Sequence, residues 1–214
     1  MTRLDAMPLP LPLAECAEWF AQAINYPDEQ AGATIPPALN QFIEKPADVW
    51  RERSGEIYCS LFDIGKPEPP APLQEGSYHP DPHTRLRRVV NFYRHYAVTQ
   101  QPQWSPDHLS VELFFLAYLL RLAAAYPARQ DLNVAIRTFV RLHPGSFAWQ
   151  CAERVRQHDR SGVYILLYDA LVRFLCLLGA EQRIAVADSG QPLSENALAP
   201  TNNHAPTDNN EREI

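Results

Sequence analysis

VYILLYDALVRFLCLLG, residues 163–179, is apolar on nearly every side of a helix. A helix of that kind belongs in the middle of a bundle, so the chain must supply other helices to enclose it. Gly179 is placed to stop it. The rest of the sequence meets the demand: its apolar residues recur at helical spacing almost everywhere, and no segment alternates convincingly as a strand does. The spacing predicts helices over 12–26, 36–44, 47–62, 83–99, 105–126, 130–142, 146–158 and 162–179. In the first, Leu13, Cys16, Ala17, Phe20 and Ile24 share one side.

Two stretches break this pattern. Residues 63–82, DIGKPEPPAPLQEGSYHPDP, hold six prolines. Proline fixes φ and lacks an N–H, so this is a long loop, and Leu73 and Tyr78 within it suggest that it packs on the bundle. Residues 181–214 are rich in Asn, Pro, Ala and acids and carry −4 of the chain's net −6. That tail cannot bury enough apolar surface to order itself. The expected organisation is an all-α, compact multi-helix bundle over residues 1–180, with a proline-rich loop at mid-chain, and a disordered acidic tail over 181–214.

Charge and composition exclude several functions. A net charge of −6 and a pI near 5.6 argue against nucleic acid and anionic membrane surfaces as partners. The N-terminal apolar run is broken by prolines and followed by acids, unlike a secretory signal. The most apolar long stretch, 109–126, contains Glu112 and Arg121, so no stable membrane insertion is expected. Cys16, Cys59, Cys151 and Cys176 are widely spaced, which fits buried free thiols in a reducing, cytoplasmic setting. Phosphate-loop, zinc-protease and serine-elbow signatures are all missing, so the chain reads as a non-enzyme with no cofactor and no metal of its own. Two histidine spacings are open as alternatives. His79 and His83 bracket Pro-Asp-Pro in the loop. His108 and Glu112 share a helix face and can form half of a metal site or an acid–base pair.

SPDHLSVELFF, residues 105–115, concentrates the functional question. Ser105 suits an N-cap, Pro106 the first helical position, and Asp107 the first turn. Capping does not explain His108, since a charged imidazole is disfavoured at a helix N-terminus. Nor does it explain Glu112, which lies about 180° around the helix from Arg121.

Three segments, in order, resemble the TorD/DmsD/NarJ family of chaperones for molybdenum-cofactor oxidoreductases. They are Tyr58-Cys-Ser-Leu61-Phe62, the loop ending PLQEGSY (72–78) with Val90-Asn-Phe92-Tyr93 after it, and Pro106-Asp107-His108-Leu109 followed by Glu112-Leu113. The resemblance covers roughly residues 12 to 180. It implies an all-helical fold, as monomer or domain-swapped dimer. It also implies a cytoplasmic role: binding the catalytic subunit of a molybdopterin oxidoreductase, often through a twin-arginine leader peptide, until cofactor is inserted. By match of motif, Tyr58, Leu61, Phe62, Asp107 and His108 carry over as peptide-binding positions. One departure is Leu73, where the family usually has an aromatic after the loop proline Pro72. A leader with two arginines beside an apolar run needs acids next to an aromatic groove. Asp107 and Glu112 are candidate acids, and Tyr58, Leu61, Phe62 and Tyr78, with Pro72, candidate walls. Plain core packing explains Leu61 and Phe62 equally well. The competing functions are a small helical metal-binding protein or enzyme using His108 and Glu112, and a generic helical adaptor.

Overall fold

A computed structural model describes residues 10–27, 35–43, 55–62, 68–99 and 104–179. Among these, seven α-helices are found: α1 (Pro10–Ala23), α2 (Gly55–Phe62), α3 (Pro82–His95), α4 (Leu109–Ala125), α5 (Gln130–Leu142), α6 (Pro144–His158) and α7 (Val163–Gly179). Two 3-10 turns, Pro37–Gln41 and Glu75–Tyr78, lie between them, and no strand occurs among the described residues. The chain divides into two units, residues 1–180 and 181–214. The expectation of a disordered tail therefore lies outside the described residues, as do the first half of the 47–62 helix and the start of the proline-rich loop.

Helix α4 is the hub. It packs on α1, α5 and α6, while α7 packs on α6 and α5. Small residues explain the tight α1–α4 pairing: Ala14, Ala17 and Ala21 are fully buried beside Leu13, Cys16 and Phe20 and let the backbones approach. On the solvent side, Arg121 of α4 forms a bidentate ion pair with Glu18 of α1. The central place foreseen for residues 162–179 thus falls to α4. Helix α7 buries Tyr164, Tyr168, Leu171 and Phe174 against α1, α2, α5 and α6 but leaves Arg173, Cys176 and Leu177 exposed, because these elements cover only part of its circumference. Exposed Cys176 and partly exposed Cys59 also depart from the expected buried thiols; Cys16 and Cys151 are buried, and all four are free.

Local chemistry sets the helix ends. Asp81 caps α3, accepting from the Thr84 N–H at 3.0 Å, with Pro82 as its first residue. The helix ends at His95, short of the predicted residue 99, because Ala97 turns left-handed (φ 54°). Val98 N–H donates to Tyr93 O and Ala97 N–H to Arg94 O, a Schellman pair closing the last turn. Asp159 caps α7, its Oδ2 accepting from Tyr164 and Ile165 N–H groups. Between α5 and α6 there is only His143. Gly145 is required there, since a Cβ would lie 2.5 Å from the Val140 carbonyl oxygen.

Candidate functional site

The proline-rich loop is fastened across the start of α4. Leu109 N–H donates to Leu73 O and Glu75 N–H to Asp107 O, both at 2.8 Å, as an antiparallel bridge between Gln74 and His108. The Asp107 carboxylate extends the bridge: Oδ2 accepts from Gly76 N–H at 3.0 Å and Oδ1 from Ser105 Oγ at 2.5 Å. A side chain at Gly76 would press on Asp107 Oδ2 and Pro82, each 3.1 Å from its Cβ. Tyr93 of α3 donates to Pro106 O at 2.8 Å. Further along the loop, Tyr78 donates to Pro72 O at 2.8 Å, and its ring carries the Arg154 guanidinium at 4.6 Å. The upstream end joins α2 through Ala71 N–H to Leu61 O.

This geometry corrects the capping scheme for residues 105–108. Helix α4 starts at Leu109, and His108 is its N-cap, with Nδ1 accepting from Ser110 N–H at 3.2 Å. Ser105, Pro106 and Asp107 precede the helix and serve the loop instead. A cationic histidine would oppose the helix dipole, but burial, against the pull of Asp107, lowers the His108 pKa to about 4. The neutral ring can therefore accept, as a cap must. The proposed pairing of His108 with Glu112 does not form, because the His108 ring is turned to Ser110.

Glu112 meets a different set. It converges with Glu75 of the loop turn and His143 of the α5–α6 junction, all three 0 % exposed, with one donor atom from each within 4.8 Å of the others. Glu75 is well partnered. Its Oε2 lies 3.0 Å from His143 Nδ1, and its Oε1 accepts from Ser146 Oγ at 3.2 Å and lies 3.6 Å from Arg85 and from His79. Arg85 also donates to Leu142 O, tying α3 to the end of α5. Glu112 has less support: as a carboxylate it finds no donor for either oxygen, its one side-chain hydrogen bond is to Glu75 when it carries a proton, and His143 Nε2 has no partner. Burial, then the nearby carboxylates of Glu75 and Asp107, push Glu112 well above the ordinary carboxylate range. Glu75 and His143 were not singled out from the sequence. The available signal was Glu112 itself, since a lone acid inside an apolar helix requires a buried partner.

Other nominated residues fall into two groups. Leu61 and Phe62 are core, with Phe62 stacked on Tyr168 and edge-on to Tyr164. Pro72, Asp107 and Glu112 are also buried. Tyr58, Tyr78 and His108 keep part of their surface exposed. His79 joins the rim of the buried cluster, where burial and then Arg85 lower its pKa, whereas His83 is exposed on α3.

A surface feature adjoins this junction. Val111, Phe114 and Tyr118 form a stripe along α4 that faces Tyr93, Val98, Thr99 and Trp104 across a pocket of about 340 Å³. Trp104, Phe114 and Tyr118 are 48, 42 and 37 % exposed. The Trp104 ring lies 6.0 Å from that of His108, so the groove begins at the Pro-Asp-His segment. No nominated wall residue lies in it; its signal was the aromatic i, i+4 pair Phe114 and Tyr118.

The described residues thus form a helical bundle with a loop clamped over α4 and an aromatic groove alongside. Comparison makes the assignment: the nitrate reductase delta subunit family model matches residues 27–153, and the chain belongs to that family, of the NarJ/TorD chaperone type. These proteins are chaperones and not catalysts. Among solved structures, the fold is shared with a protein from Archaeoglobus fulgidus provisionally classed as a redox enzyme maturation protein. The TM-score is 0.50 at 20% identity, over 82% of this chain and 99% of that one. No curated protein matches the chain. Among the described residues, no helix is long and apolar enough to cross a membrane.

Proposed function

We propose that this protein is a cytoplasmic maturation chaperone that captures the catalytic subunit of a molybdopterin oxidoreductase through its twin-arginine leader and holds it until cofactor is inserted. Family membership supports the chaperone role. The observation that carries peptide capture is the aromatic groove beside the Pro-Asp-His segment. Monomeric proteins rarely leave such rings on a continuous apolar patch without a use for it. Its apolar lining suits the hydrophobic run of a leader laid along α4. The half-exposed Trp104 ring, beside His108, stands at the end where the arginine-bearing part would emerge and offers its face to a guanidinium. Tyr58 and Tyr78 offer further contact surface, while Leu61, Phe62, Pro72, Asp107 and Glu112 act by holding α2, the loop and α4 in place.

The test is capture of a molybdoenzyme catalytic subunit from native cytosol by tagged protein, beside Phe114→Ala/Tyr118→Ala, with titration of fluorescent leader peptides carrying Arg-Arg or Lys-Lys. The expected result is capture by wild type, at least a tenfold weaker peptide affinity in the groove variant, and preference for Arg-Arg. No captured subunit would refute the chaperone reading. Capture that ignores the groove variant would move the peptide site elsewhere while leaving the function standing.

A further inference from the structure

We propose that Glu75, Glu112 and His143 form a binding site for one divalent first-row transition-metal ion that locks the proline-rich loop to the bundle. The three residues come from three separate segments: the 3-10 turn Glu75–Tyr78, helix α4 and the α5–α6 junction. One donor atom from each lies within 4.8 Å of the others, so a small inward shift brings all three to a common centre. Bonds from oxygen and imidazole nitrogen to such ions are about 2.0–2.2 Å long.

The unpartnered atoms argue for an ion rather than for a shared proton alone. A protonated Glu112 can donate once, to Glu75. That would still leave His143 Nε2 buried without a partner, since it is Nδ1 that faces Glu75. A bound cation takes a lone pair from Glu112, one from Glu75 and one from the imidazole, and adds its charge to that of Arg85 in balancing two buried carboxylates. The surroundings resemble the outer shell of a metal site. Glu75 is steadied by Ser146, Arg85 and His79, and the His143 ring by Phe92 and Phe139 at 5.4 and 5.2 Å. Two carboxylates and an imidazole, without thiolate, suit Zn²⁺, Mn²⁺ or Fe²⁺ rather than Cu⁺. Because the donors are fully buried, the ion enters when the loop lifts and is held once the Gln74–His108 bridge closes.

The experiment uses the full chain, stripped with chelator, loaded with excess Zn²⁺ and desalted. Retained metal is measured by elemental analysis and the melting temperature is read with and without Zn²⁺. Wild type should keep one equivalent and melt higher when loaded. Loaded with Co²⁺, it should show the visible d–d absorption of an ordered, low-symmetry site. Glu112→Gln and His143→Gln should lose the retained equivalent and the Co²⁺ band. Glu112→Gln should melt no lower than stripped wild type, which shows that the loss is not unfolding. His83→Ala/His158→Ala, which removes exposed imidazoles, should retain the ion. No retained equivalent in wild type, or equal retention in Glu112→Gln, would overturn the site and leave Glu112 as a buried neutral carboxyl.

Discussion

Replacing Asp107 with alanine tests whether this residue contacts a partner directly or holds the loop. The substitution removes two hydrogen bonds to an anionic acceptor, from Gly76 N–H and Ser105 Oγ, and leaves the Asp107 O to Glu75 N–H bond in place. Ser105 is exposed, so its hydroxyl turns to water at little cost. Gly76 is buried, and its N–H is left without an acceptor. An orphaned buried donor costs about 1–3 kcal/mol, and a bond to a charged group lies at the upper end of that range. The expected destabilisation is therefore about 2–3 kcal/mol. For a domain of this size that lowers the melting temperature by roughly 4–12 °C. Asp107→Asn retains an acceptor and should lose about half as much. The assay is urea unfolding of both variants, with peptide binding measured well below their midpoints. A wild-type midpoint combined with lost binding would refute the clamp and make Asp107 a direct contact; a lowered midpoint with largely retained binding is the outcome expected of a clamp.

Gly145→Ala places a methyl 2.5 Å from the Val140 carbonyl oxygen and should cost about 2–3 kcal/mol by chemical denaturation, with the α5–α6 junction as the first region to lose hydrogen-exchange protection. Ala97→Gly relieves a left-handed alanine and should change stability by about +0.5 to +1 kcal/mol, seen as a higher urea midpoint with an unchanged slope. For His108, the folded pKa of about 4 lies below the unfolded value of about 6.5, so the unfolded chain binds the proton first. Its contribution to stability is present above pH 6.5, falls as the pH drops from 6.5 to 4, and is constant below that. His108→Asn, which caps without titrating, should flatten that part of the stability–pH profile by up to about 3 kcal/mol.

The helices were legible because their evidence is local. Leu13, Cys16, Ala17, Phe20 and Ile24 recur at helical spacing, and all are fully buried. Asp81-Pro82 and Gly179 mark ends in the same local way, although the cap at Asp81 set α3 one residue earlier than predicted. The start of α4 was misread for an instructive reason. Ser105-Pro106-Asp107 has the grammar of a helix cap, but long-range partners claim it: Tyr93 takes the Pro106 carbonyl and Gly76 takes the Asp107 carboxylate. Local preference of about 1 kcal/mol is outweighed once a buried N–H needs an acceptor. Glu75 and His143 were invisible in the same sense. Each sits in a segment with ordinary loop or junction composition, and only the packing of α3, α4 and α5 brings them to Glu112. The roles of α4 and α7 were exchanged because a helix's apolar content limits how much surface it can bury without saying which neighbours will bury it. Phe114 and Tyr118 make the point directly, as apolar residues of the hub helix that nevertheless face solvent.

Burying two carboxylates and an imidazole at one point costs stability that an apolar core of equal volume would not lose. What the polar set provides is register. An apolar loop residue can slide along α4 with little change in energy, whereas Glu75 can satisfy its oxygens only where Ser146, Arg85 and His143 meet. That position also sets the Gln74–His108 bridge, and the bridge fixes His108, which stands beside Trp104 at the mouth of the groove. The loop, the helix cap and the groove are thus mechanically continuous. Anything that alters the charge on Glu112 acts on the same continuous structure that presents the aromatic surface, although Glu112 itself is fully buried and touches no solvent.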